Sequence, residues 1–304
     1  MDAVTLCECF ARDGLQHEPA FVATGMKRAL VERFAAIGFR RVEATSYSNP
    51  QVVPQFGDAS ELLKSIERRP GVHYKATCAN VRAVERALAD LDAGHGASEI
   101  SLLVSASEAH SRKNLNRSRA EQWINIEQMA RAARGRFRLV GTVSVAFGCP
   151  FEGSVDPARV VEDVHRFRSL DVECVALGDT IGTATPAAVQ SLFRRLEGIT
   201  AIAHFHDTRG TGLVNYIAAY EAGVRWFDCA FGGVGGHPAK VKYGGGHTGN
   251  VCTEDLVNLF ESMGIATGID LGELLATAEM CEQALGRQLY GRVTRSGLSP
   301  LLSR

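Results

Sequence analysis

The sequence is short of the features that mark nucleic-acid-binding, membrane and secreted proteins. Its 33 Lys and Arg residues face 34 Asp and Glu residues, so no net field attracts nucleic acid or an anionic membrane. No apolar run approaches the ~18 residues that span a membrane. The chain enters an apolar run without a preceding basic region, which predicts no secretion signal. We therefore expect a soluble, cytoplasmic protein.

Paired cysteines and nucleotide-binding loops are also missing. The eight cysteines are scattered, lack CxxC spacing and fall mostly in apolar runs, which favours reduced, buried thiols. No Walker-type GxxxxGK[ST] occurs, and the first strand is followed by FARDGLQHE instead of GxGxxG. A nucleotide cradle and a Rossmann sheet are both disfavoured.

What is present is an alternation of short β-rich runs with longer helical patterns. Hydrophobic residues make up 45% and charged residues 22% of the 304-residue chain, enough to bury a large core. Eight βα repeats in a chain of this length predict an α/β fold, a TIM (β/α)8 barrel, over an open doubly wound sheet. The predicted strands are Val4–Glu8, Arg41–Ser46, His73–Cys78, Glu99–Ser105, Arg138–Ala146, Cys174–Asp179, Ala201–His206 and Trp226–Phe231. The clearest helical patterns are Met26–Ile37, Pro157–Leu170, Ala187–Leu196 and Gly210–Ala222.

No linker or low-complexity segment divides the chain, so residues 1–304 are predicted to form a single domain. The barrel would take residues 1 to about 250. Residues 251–304 contain the helical patterns TEDLVNLFESMG and LGELLATAEMCEQALG, which predict a C-terminal helical cap. The cap is also a candidate oligomer contact, and we expect a homodimer or a higher homo-oligomer.

Unusual polar residues cluster where the predicted strands end, the edge at which a barrel carries its chemistry. They lie within or directly after the first, second, fourth, sixth and seventh predicted strands. The candidates are Arg12, Asp13, Gln16, Glu43, Arg112, Lys113, Asn114, Asp179, His204 and His206.

His204 and His206 stand two apart, so on a strand both imidazoles point to the same side. Such a pair alone is a weak signal. Together with a carboxylate at Asp13 and an amide oxygen at Asn250, it makes a site of two nitrogens and two oxygens. That mixture suits Mg²⁺, Mn²⁺, Co²⁺ or Zn²⁺ used as a Lewis acid, without deciding among them.

Each of the other polar residues also has a structural explanation. Arg12 could be a surface arginine, Glu43 a buried carboxylate paired with it, and Asp179 a helix N-cap. Their coincidence on one face of the barrel favours a functional site over three separate structural roles.

Several longer stretches together resemble one known family. ARDGLQHE, VEATSYSNPQVVPQFGD, SASEAHSRKNLN, SVAFGCPFEG, LGDTIGTATP, HFHDTRG and TGNVCTEDLV are similar, in order and spacing, to 3-hydroxy-3-methylglutaryl-CoA lyases. The similarity runs from about residue 4 to about residue 270. It implies a metal-dependent carbon–carbon lyase that cleaves a 3-hydroxy-3-methylglutaryl-CoA-type thioester to acetyl-CoA and a keto acid.

The resemblance also implies roles for the candidate residues. Asp13, His204, His206 and Asn250 would bind a divalent cation, Mg²⁺ or Mn²⁺ before Co²⁺ or Zn²⁺. Arg12 would stabilise the enolate oxygen, Glu43 would orient Arg12 or the metal shell, and Asp179 would lie near the substrate hydroxyl. Gln16 would contact the substrate, and residues 107–116, with Arg112, Lys113 and Asn114, would lie along the coenzyme A arm.

The chain departs from the family in the glycine-rich segment GVGGHPAKVKYGGGHTGN, residues 233–250. Family lyases carry GGCP, with a proton-donating cysteine, where this chain reads GGHP. It also has about four extra residues before the metal asparagine. His237 could replace the cysteine as catalytic acid, the loop could be rebuilt for another substrate, or activity could be lost. Lys240 and Lys242 could meet a carboxylate or phosphate or be solvated, and His247 is better explained as a surface or structural residue.

Two kinds of alternative function remain open from the sequence. One is a related aldolase or Claisen-type synthase acting on a different hydroxy acid, linked to pyruvate or acetyl-CoA. The other is a non-catalytic homologue that keeps the coenzyme A groove and the metal. Either way, the expected partner is a small acyl-CoA or hydroxy acid, with no nucleic acid and no membrane.

Overall fold

The computed structural model describes residues 3–236 and 248–302. Within them, eight parallel strands pair in chain order, and the eighth pairs with the first to close a barrel. The predicted TIM barrel is confirmed. The strands are β1 Thr5–Glu8, β2 Arg41–Ser46, β3 His73–Cys78, β4 Glu99–Ser105, β5 Arg138–Ser144, β6 Cys174–Asp179, β7 Ala201–Phe205 and β8 Trp226–Cys229.

Helices follow each strand and cover the outside of the barrel. Two of them follow β4, and three more follow β8, where the sequence predicts a helical cap. The helices are α1 Thr24–Ala36, α2 Ala59–Ser65, α3 Val81–Asp92, α4 Glu108–Leu115, α5 Arg119–Ala133, α6 Pro157–Ser169, α7 Pro186–Arg194, α8 Gly212–Glu221, α9 Thr253–Ser262, α10 Leu271–Leu285 and α11 Val293–Ser296.

Local sequence signals explain where several helices begin and end. Helix α5 begins with a capping box in which Ser118 and Glu121 exchange side-chain to backbone hydrogen bonds. Asn80 caps α3 by accepting a hydrogen bond from the amide of Ala83. Gly286 ends α10 at a φ of 64°, a conformation that glycine adopts without a Cβ penalty.

Three predicted strands run too far at their carboxyl ends. The fifth stops before Val145, which has a φ of 52° and donates its amide hydrogen to Thr180. The seventh stops before His206, which forms an isolated antiparallel bridge with Asn250. The eighth stops where a 3₁₀ turn, Phe231–Gly233, begins the glycine-rich segment. These tertiary contacts lie far apart in sequence and override local β propensity.

The barrel interior is charged as well as apolar. Near the amino ends of the strands, Val140, Cys174, Ala176 and Ile202 pack together against Trp226. The same interior holds Arg41, Lys75, Glu99 and Asp228, which are all at most 3% exposed. Buried charges persist only when they are paired. The barrel interior is therefore an ordered ion-pair network that lies beneath the carboxyl ends of the strands.

All eight cysteines are free, in agreement with the prediction of reduced thiols. Seven are buried, and Cys252 is partly exposed. Across residues 3–236 and 248–302, none of the helices has the length and apolar character needed to cross a bilayer.

A buried carboxylate joins β1 to the segment after β8. Glu8, at the end of β1, accepts hydrogen bonds from the amides of Phe10 and Phe231 and from the hydroxyl of Thr253. Glu254, in the first turn of α9, accepts from the amide of Gly232. The two carboxylates thus fix the root of the glycine-rich segment to the barrel.

These carboxylates predict a pH-dependent stability. Burial raises the pKa of Glu8 to about 8 and that of Glu254 to about 7, and the hydrogen bonds offset only part of the rise. Because both folded pKa values exceed the unfolded value near 4.3, their stabilising contribution is full below about pH 4 and is lost as the pH rises through 7 and 8. The free energy of unfolding should fall between about pH 5 and 8, by up to about 1.4 kcal/mol per pH unit for each group, and should level off above pH 8.

Urea titrations at several pH values measure this slope. Glu8→Gln should flatten the profile because it removes one of the two titrations. Glu197→Gln, which changes an exposed glutamate, should leave the profile unchanged. A wild-type profile that rises across this range would contradict the assignment.

Candidate active site at the carboxyl ends of the strands

A tight turn after β1 presents Arg12 and Asp13 to the barrel mouth. Residues Phe10–Gly14 form a single π-helical turn, closed by a 3.1 Å hydrogen bond from the amide of Gly14 to the carbonyl of Cys9. Such turns are rare and are frequent at functional sites. Asp13 is 8% exposed, and the side chain of Arg12 is 16% exposed.

Three side-chain oxygens hold the guanidinium of Arg12. Its Nε donates to Oε1 of Glu43 at 2.7 Å, and its Nη1 donates to Oδ1 of Asp13 at 3.0 Å and Oε1 of Gln16 at 3.3 Å. Thr77 also donates its hydroxyl to Oε1 of Glu43, at 2.6 Å. The sequence leaves open whether Glu43 is a structural partner of Arg12 or part of a functional site. The pairing with Arg12 is observed, and both residues face the mouth of the barrel.

The ion pair sets the charges of its members. Burial alone would lower the pKa of Arg12, but Glu43 and then Asp13 outweigh it and raise that pKa. Burial would raise the pKa of Asp13, but Arg12, and after it His204 and His206, holds it well below its ordinary value. Arg12 is therefore cationic and Asp13 anionic throughout the neutral range.

Asp13, His204 and His206 each offer a donor atom, and these atoms all lie within 4.8 Å of one another. The fourth predicted ligand, Asn250, donates its Nδ2 to Oδ2 of Asp13 at 2.6 Å and to the carbonyl of Val234 at 2.8 Å. The structure thus brings together the four residues that the sequence selects for a metal.

The two imidazoles are oriented from behind. Nδ1 of His204 lies 3.3 Å from Oδ2 of Asp228, and Nδ1 of His206 lies 2.8 Å from the carbonyl oxygen of Thr180. An acceptor at Nδ1 places the proton there, so Nε2 is the donor that each ring would present to a metal. A metal-binding histidine in proteins is typically oriented in this way.

The donor set fits a divalent cation. Oδ1 of Asn250 is buried and has no hydrogen-bond partner among the described residues, a costly state for an amide oxygen. A cation beside Asp13 would satisfy it. Two imidazole nitrogens, one carboxylate and one amide oxygen match the mixed set that borderline and hard divalent ions accept.

The glycine-rich segment passes very close to these ligands. Gly235 has a φ of 95°, and a Cβ there would lie 2.5 Å from the carbonyl oxygen of Asp13 and 2.9 Å from Nδ2 of Asn250. A Cβ on Gly236 would lie 3.1 Å from the ring of His206. Glycine is therefore required for the backbone to cover the site. His237, Lys240, Lys242 and His247 lie outside the described residues.

Gly235→Ala should weaken metal binding by at least about tenfold, as changes just behind metal ligands do, because the new methyl group displaces Asp13 or Asn250. Gly198→Ala is the matched control, since Gly198 has a φ of 81° but no atom within 4 Å of its added Cβ. Both variants should lose some stability from the positive φ. Isothermal titration with Mn²⁺ separates them, and equal affinities would contradict the expected displacement.

Asp179 is tied to its own loop. It is fully buried at the end of β6, and its two carboxylate oxygens accept the amides of Thr183 and Ala184, both at 2.9 Å. Thr185, not Asp179, caps helix α7, so the helix N-cap explanation is wrong. Burial raises the pKa of Asp179. Its carboxylate shapes the turn that carries Thr180, the partner of His206, and its contact with a substrate hydroxyl stays a prediction.

The predicted coenzyme A residues lie on helix α4, at the same end of the barrel. The side chain of Arg112 is 63% exposed and pairs with Glu108 at 2.8 Å. Nζ of Lys113 stands 5.9 Å from the ring centre of Phe151, and Asn114 is partly buried on the same helix. The structure thus joins Gln16 to the Arg12 cluster, whereas Arg112, Lys113 and Asn114 form a separate group whose coenzyme A contacts stay a prediction.

Two buried charged residues of the site, Asp228 and Lys75, are absent from the sequence prediction. Asp228 contacts His204, and Lys75 lies 3.5 Å from Glu43 and 3.8 Å from Asp228. Each stands in an otherwise largely apolar strand, WFDC or HYKATC. The same signal selects Glu43, so both residues could have been found in the sequence.

Comparison with known proteins agrees with this geometry. A family profile described as HMGL-like matches residues 3–281. The hydroxymethylglutaryl-CoA lyase YngG of Bacillus subtilis is 36% identical over 294 residues, 95% of each chain. The mitochondrial hydroxymethylglutaryl-CoA lyase of Homo sapiens is 36% identical over 298 residues, 96% of this chain and 89% of that protein. The (R)-citramalyl-CoA lyase of Chloroflexus aurantiacus is 35% identical over 312 residues, 98% of this chain and 96% of that protein.

Solved structures show the same relationship. An HMG-CoA lyase from Acinetobacter baumannii, in complex with coenzyme A and 3-methylmalate, superposes with a TM-score of 0.92 at 34% identity, covering 98% of this chain and 96% of that chain. The hydroxymethylglutaryl-CoA lyase from Pseudomonas aeruginosa gives a TM-score of 0.89 at 31% identity, covering 97% of each chain. The extent of the profile match and the identity to these lyases place this chain in the HMGL-like family.

Proposed function

We propose that the protein is a divalent-metal-dependent carbon–carbon lyase that cleaves a 3-hydroxy-3-methylglutaryl-CoA-type thioester to acetyl-CoA and a keto acid. The observation that carries the proposal is the fixed guanidinium of Arg12 beside the Asp13, His204, His206 and Asn250 donor set. A cation for an enolate oxygen and a cluster for a divalent ion are what retro-aldol cleavage of such a thioester requires. The lyase names of the relatives support the same reaction class.

The metal site would be made by those four ligands, and Mg²⁺ or Mn²⁺ is the proposed ion, with Co²⁺ or Zn²⁺ as alternatives. The bound ion would supply Lewis-acid polarisation of the substrate hydroxyl and carboxylate oxygens. Asp228 and the carbonyl of Thr180 hold the two imidazoles in the orientation that this requires.

Cleavage breaks the bond between C2 and C3 of the acyl chain. The hydroxyl on C3 would pass its proton to a base, a role proposed for Asp179, and would become the carbonyl of the keto acid. The electron pair of the broken bond would pass to C2 and the thioester oxygen. Arg12 would stabilise that enolate oxygen. Its described hydrogen bonds use Nε and Nη1, which directs Nη2 to the substrate, and Glu43 prevents the guanidinium from turning away.

Protonation of C2 completes acetyl-CoA and needs an acid above the site. His237 is the proposed donor, because imidazole titrates near neutral pH and His237 directly follows Gly235 and Gly236, which pass close to the metal ligands. Asp179 is proposed to lie near the substrate hydroxyl. Arg112, Lys113 and Asn114 are proposed to contact the coenzyme A arm from helix α4.

The names of the relatives do not fix the acyl group of the substrate. A citramalyl-CoA lyase is among the relatives, and the related Acinetobacter lyase holds 3-methylmalate. The relatives therefore leave room for a dicarboxylic acyl chain shorter or differently substituted than 3-hydroxy-3-methylglutarate. Their lyase names disfavour the Claisen-type synthase and aldolase alternatives.

The deciding experiment is a cleavage assay on 3-hydroxy-3-methylglutaryl-CoA, citramalyl-CoA and longer analogues, each with added Mg²⁺ or Mn²⁺. Cleavage of one thioester by the wild type, lost in His237→Ala and restored in His237→Cys, would support the lyase and its histidine acid. Metal binding without cleavage of any thioester would remove the lyase assignment. Absence of both would favour the non-catalytic homologue.

We also propose a reducing compartment such as the cytoplasm, because the eight free cysteines would be exposed to oxidation on unfolding elsewhere. A homodimer is proposed for the assembly, with the helices after β8 as its contact. Sedimentation velocity of the wild type tests that assembly directly, and a monomer at micromolar concentration would exclude it.

A further inference from the structure

A second group of metal-binding side chains lies inside the barrel below the proposed active site. Cys7 and Cys9 on and after β1, and Asp228 on β8, offer donor atoms that all lie within 4.8 Å of one another. Both cysteines are fully buried and Asp228 is 2% exposed. The two sulfur atoms are 3.9 Å apart, close to the roughly 3.8 Å edge of a tetrahedral site with Zn–S bonds of ~2.3 Å.

Lys75 lies at the side of this group. It is 3% exposed, and its Nζ is 3.8 Å from Oδ2 of Asp228 and 3.5 Å from Oε2 of Glu43. Lys75 is therefore a cation, and a protonated amine cannot attack a carbonyl to form a Schiff base.

The buried charged side chains inside the barrel form a network in which cations and anions are shared. Arg12 holds Glu43 at 2.7 Å. Arg41 holds Glu99 through two hydrogen bonds. Lys75 lies between two carboxylates, 3.5 Å from Glu43 and 3.8 Å from Asp228, and Arg41 also lies 3.6 Å from Oδ1 of Asp228. Three cations thus serve four carboxylates, and Asp13, which shares Arg12 with Glu43, is the place left for an ion from solution.

We propose that Lys75 is a built-in counter-ion that closes the Cys7, Cys9 and Asp228 group to a soft divalent cation, so that the barrel takes its ion only at the Asp13 cluster. Thiolates select soft ions such as Zn²⁺ over Mg²⁺ or Mn²⁺. Without the lysine, the lower group has two sulfur ligands and one carboxylate, and Arg41, which also hydrogen-bonds Glu99, stays as a neighbouring cation. The inference deepens the proposed metal site and rests on the proposed function only in assigning the catalytic ion to Asp13.

Removal of the lysine should create the lower site. In Lys75→Met, a divalent ion M²⁺ would enter as the two thiols lose their protons, giving M(SR)₂ and two H⁺, with Asp228 as third ligand. Lys75→Arg keeps the cation and should keep the group closed. Lys27→Met is the matched control, since Lys27 is 1% exposed and ion-paired with Asp58 at 2.9 Å outside the barrel mouth.

The experiment is a Co²⁺ titration of the reduced full chain, followed by absorption spectroscopy. The strong near-ultraviolet thiolate-to-cobalt band reports the lower site, whereas imidazole and carboxylate ligands at Asp13 give only weak visible bands. We expect no thiolate band in the wild type, Lys75→Arg and Lys27→Met. In Lys75→Met we expect one additional equivalent of Co²⁺ with the band, and loss of both in Lys75→Met/Cys9→Ser.

A thiolate band in the wild type would overturn the proposal, since the lysine would then not close the site. A folded Lys75→Met without the band would overturn it too. If Lys75→Met does not fold, Lys75→Gln, which keeps a polar group of similar length, replaces it with the same expected band. Failure of the proposed function shows separately, as absence of the weak visible bands in the wild type.

Discussion

The Asp13→Asn variant is expected to lose its divalent cation and at least about a thousandfold of kcat. Asp13 is the one anion of the four proposed ligands, and loss of a Lewis acid removes several kcal/mol of transition-state stabilisation. The amide also places its NH2 group against either Nη1 of Arg12 or Nδ2 of Asn250, which now donate to the two carboxylate oxygens at 3.0 Å and 2.6 Å. That contact would place one hydrogen-bond donor against another, so the remaining metal ligands would also be displaced.

Metal content after dialysis, together with kcat, measures this effect. Asp163→Asn is the matched control, because the side chain of Asp163 is 3% exposed and pairs with Arg119 at 2.8 Å outside the site. It should lower the melting temperature while keeping the metal and kcat. Retention of stoichiometric metal and activity in Asp13→Asn would remove Asp13 from the site.

The Arg12→Lys variant is expected to bind the metal normally and to lose about a hundredfold to a thousandfold of kcat, with a smaller change in KM. That range is typical when a single pre-organised donor to a developing oxyanion is removed. Lysine keeps the positive charge, but it cannot bind Glu43, Asp13 and the substrate at once as the planar fork does. The loss should therefore appear in the transition state more than in substrate binding.

Steady-state kinetics and Mn²⁺ titration of the same sample test this prediction. Arg119→Lys is the control, since Arg119 and Arg12 have the same side-chain exposure, 16%, and each bridges to a buried carboxylate. Its kcat should match the wild type. An Arg12→Lys enzyme with unchanged kcat would show that Arg12 is a structural ion-pair partner only.

Much of the site was predictable because parallel strands bring their carboxyl ends to one edge. Asp13, His204 and Asn250 are far apart in the chain, yet strand order alone places the segments that carry them side by side. The predicted pairing of Glu43 with Arg12 also holds, at 2.7 Å. A charged residue in a strand that is otherwise apolar must find a buried partner, so the sequence already implied one.

The missed residues show the limit of that reasoning. Lys75 and Asp228 carry the same signal as Glu43, but none of the recognised motifs contains either residue. Their contacts cross the inside of the barrel, from β3 to β2 and from β3 to β8. The sequence predicts Asp179 near the substrate. In the structure both of its carboxylate oxygens accept hydrogen bonds from loop amides.

The sequence by itself determined the fold class, the order of the strands and the identity of the proposed ligands, because periodicity and strand-end chemistry are local properties. The tertiary structure alone decided which ring nitrogen each histidine presents, which glycine must cover Asp13, and which cation neutralises which buried carboxylate. Those are distances of a few ångströms between residues that can stand more than two hundred positions apart. Only the closure of β8 on β1 brings such residues into contact.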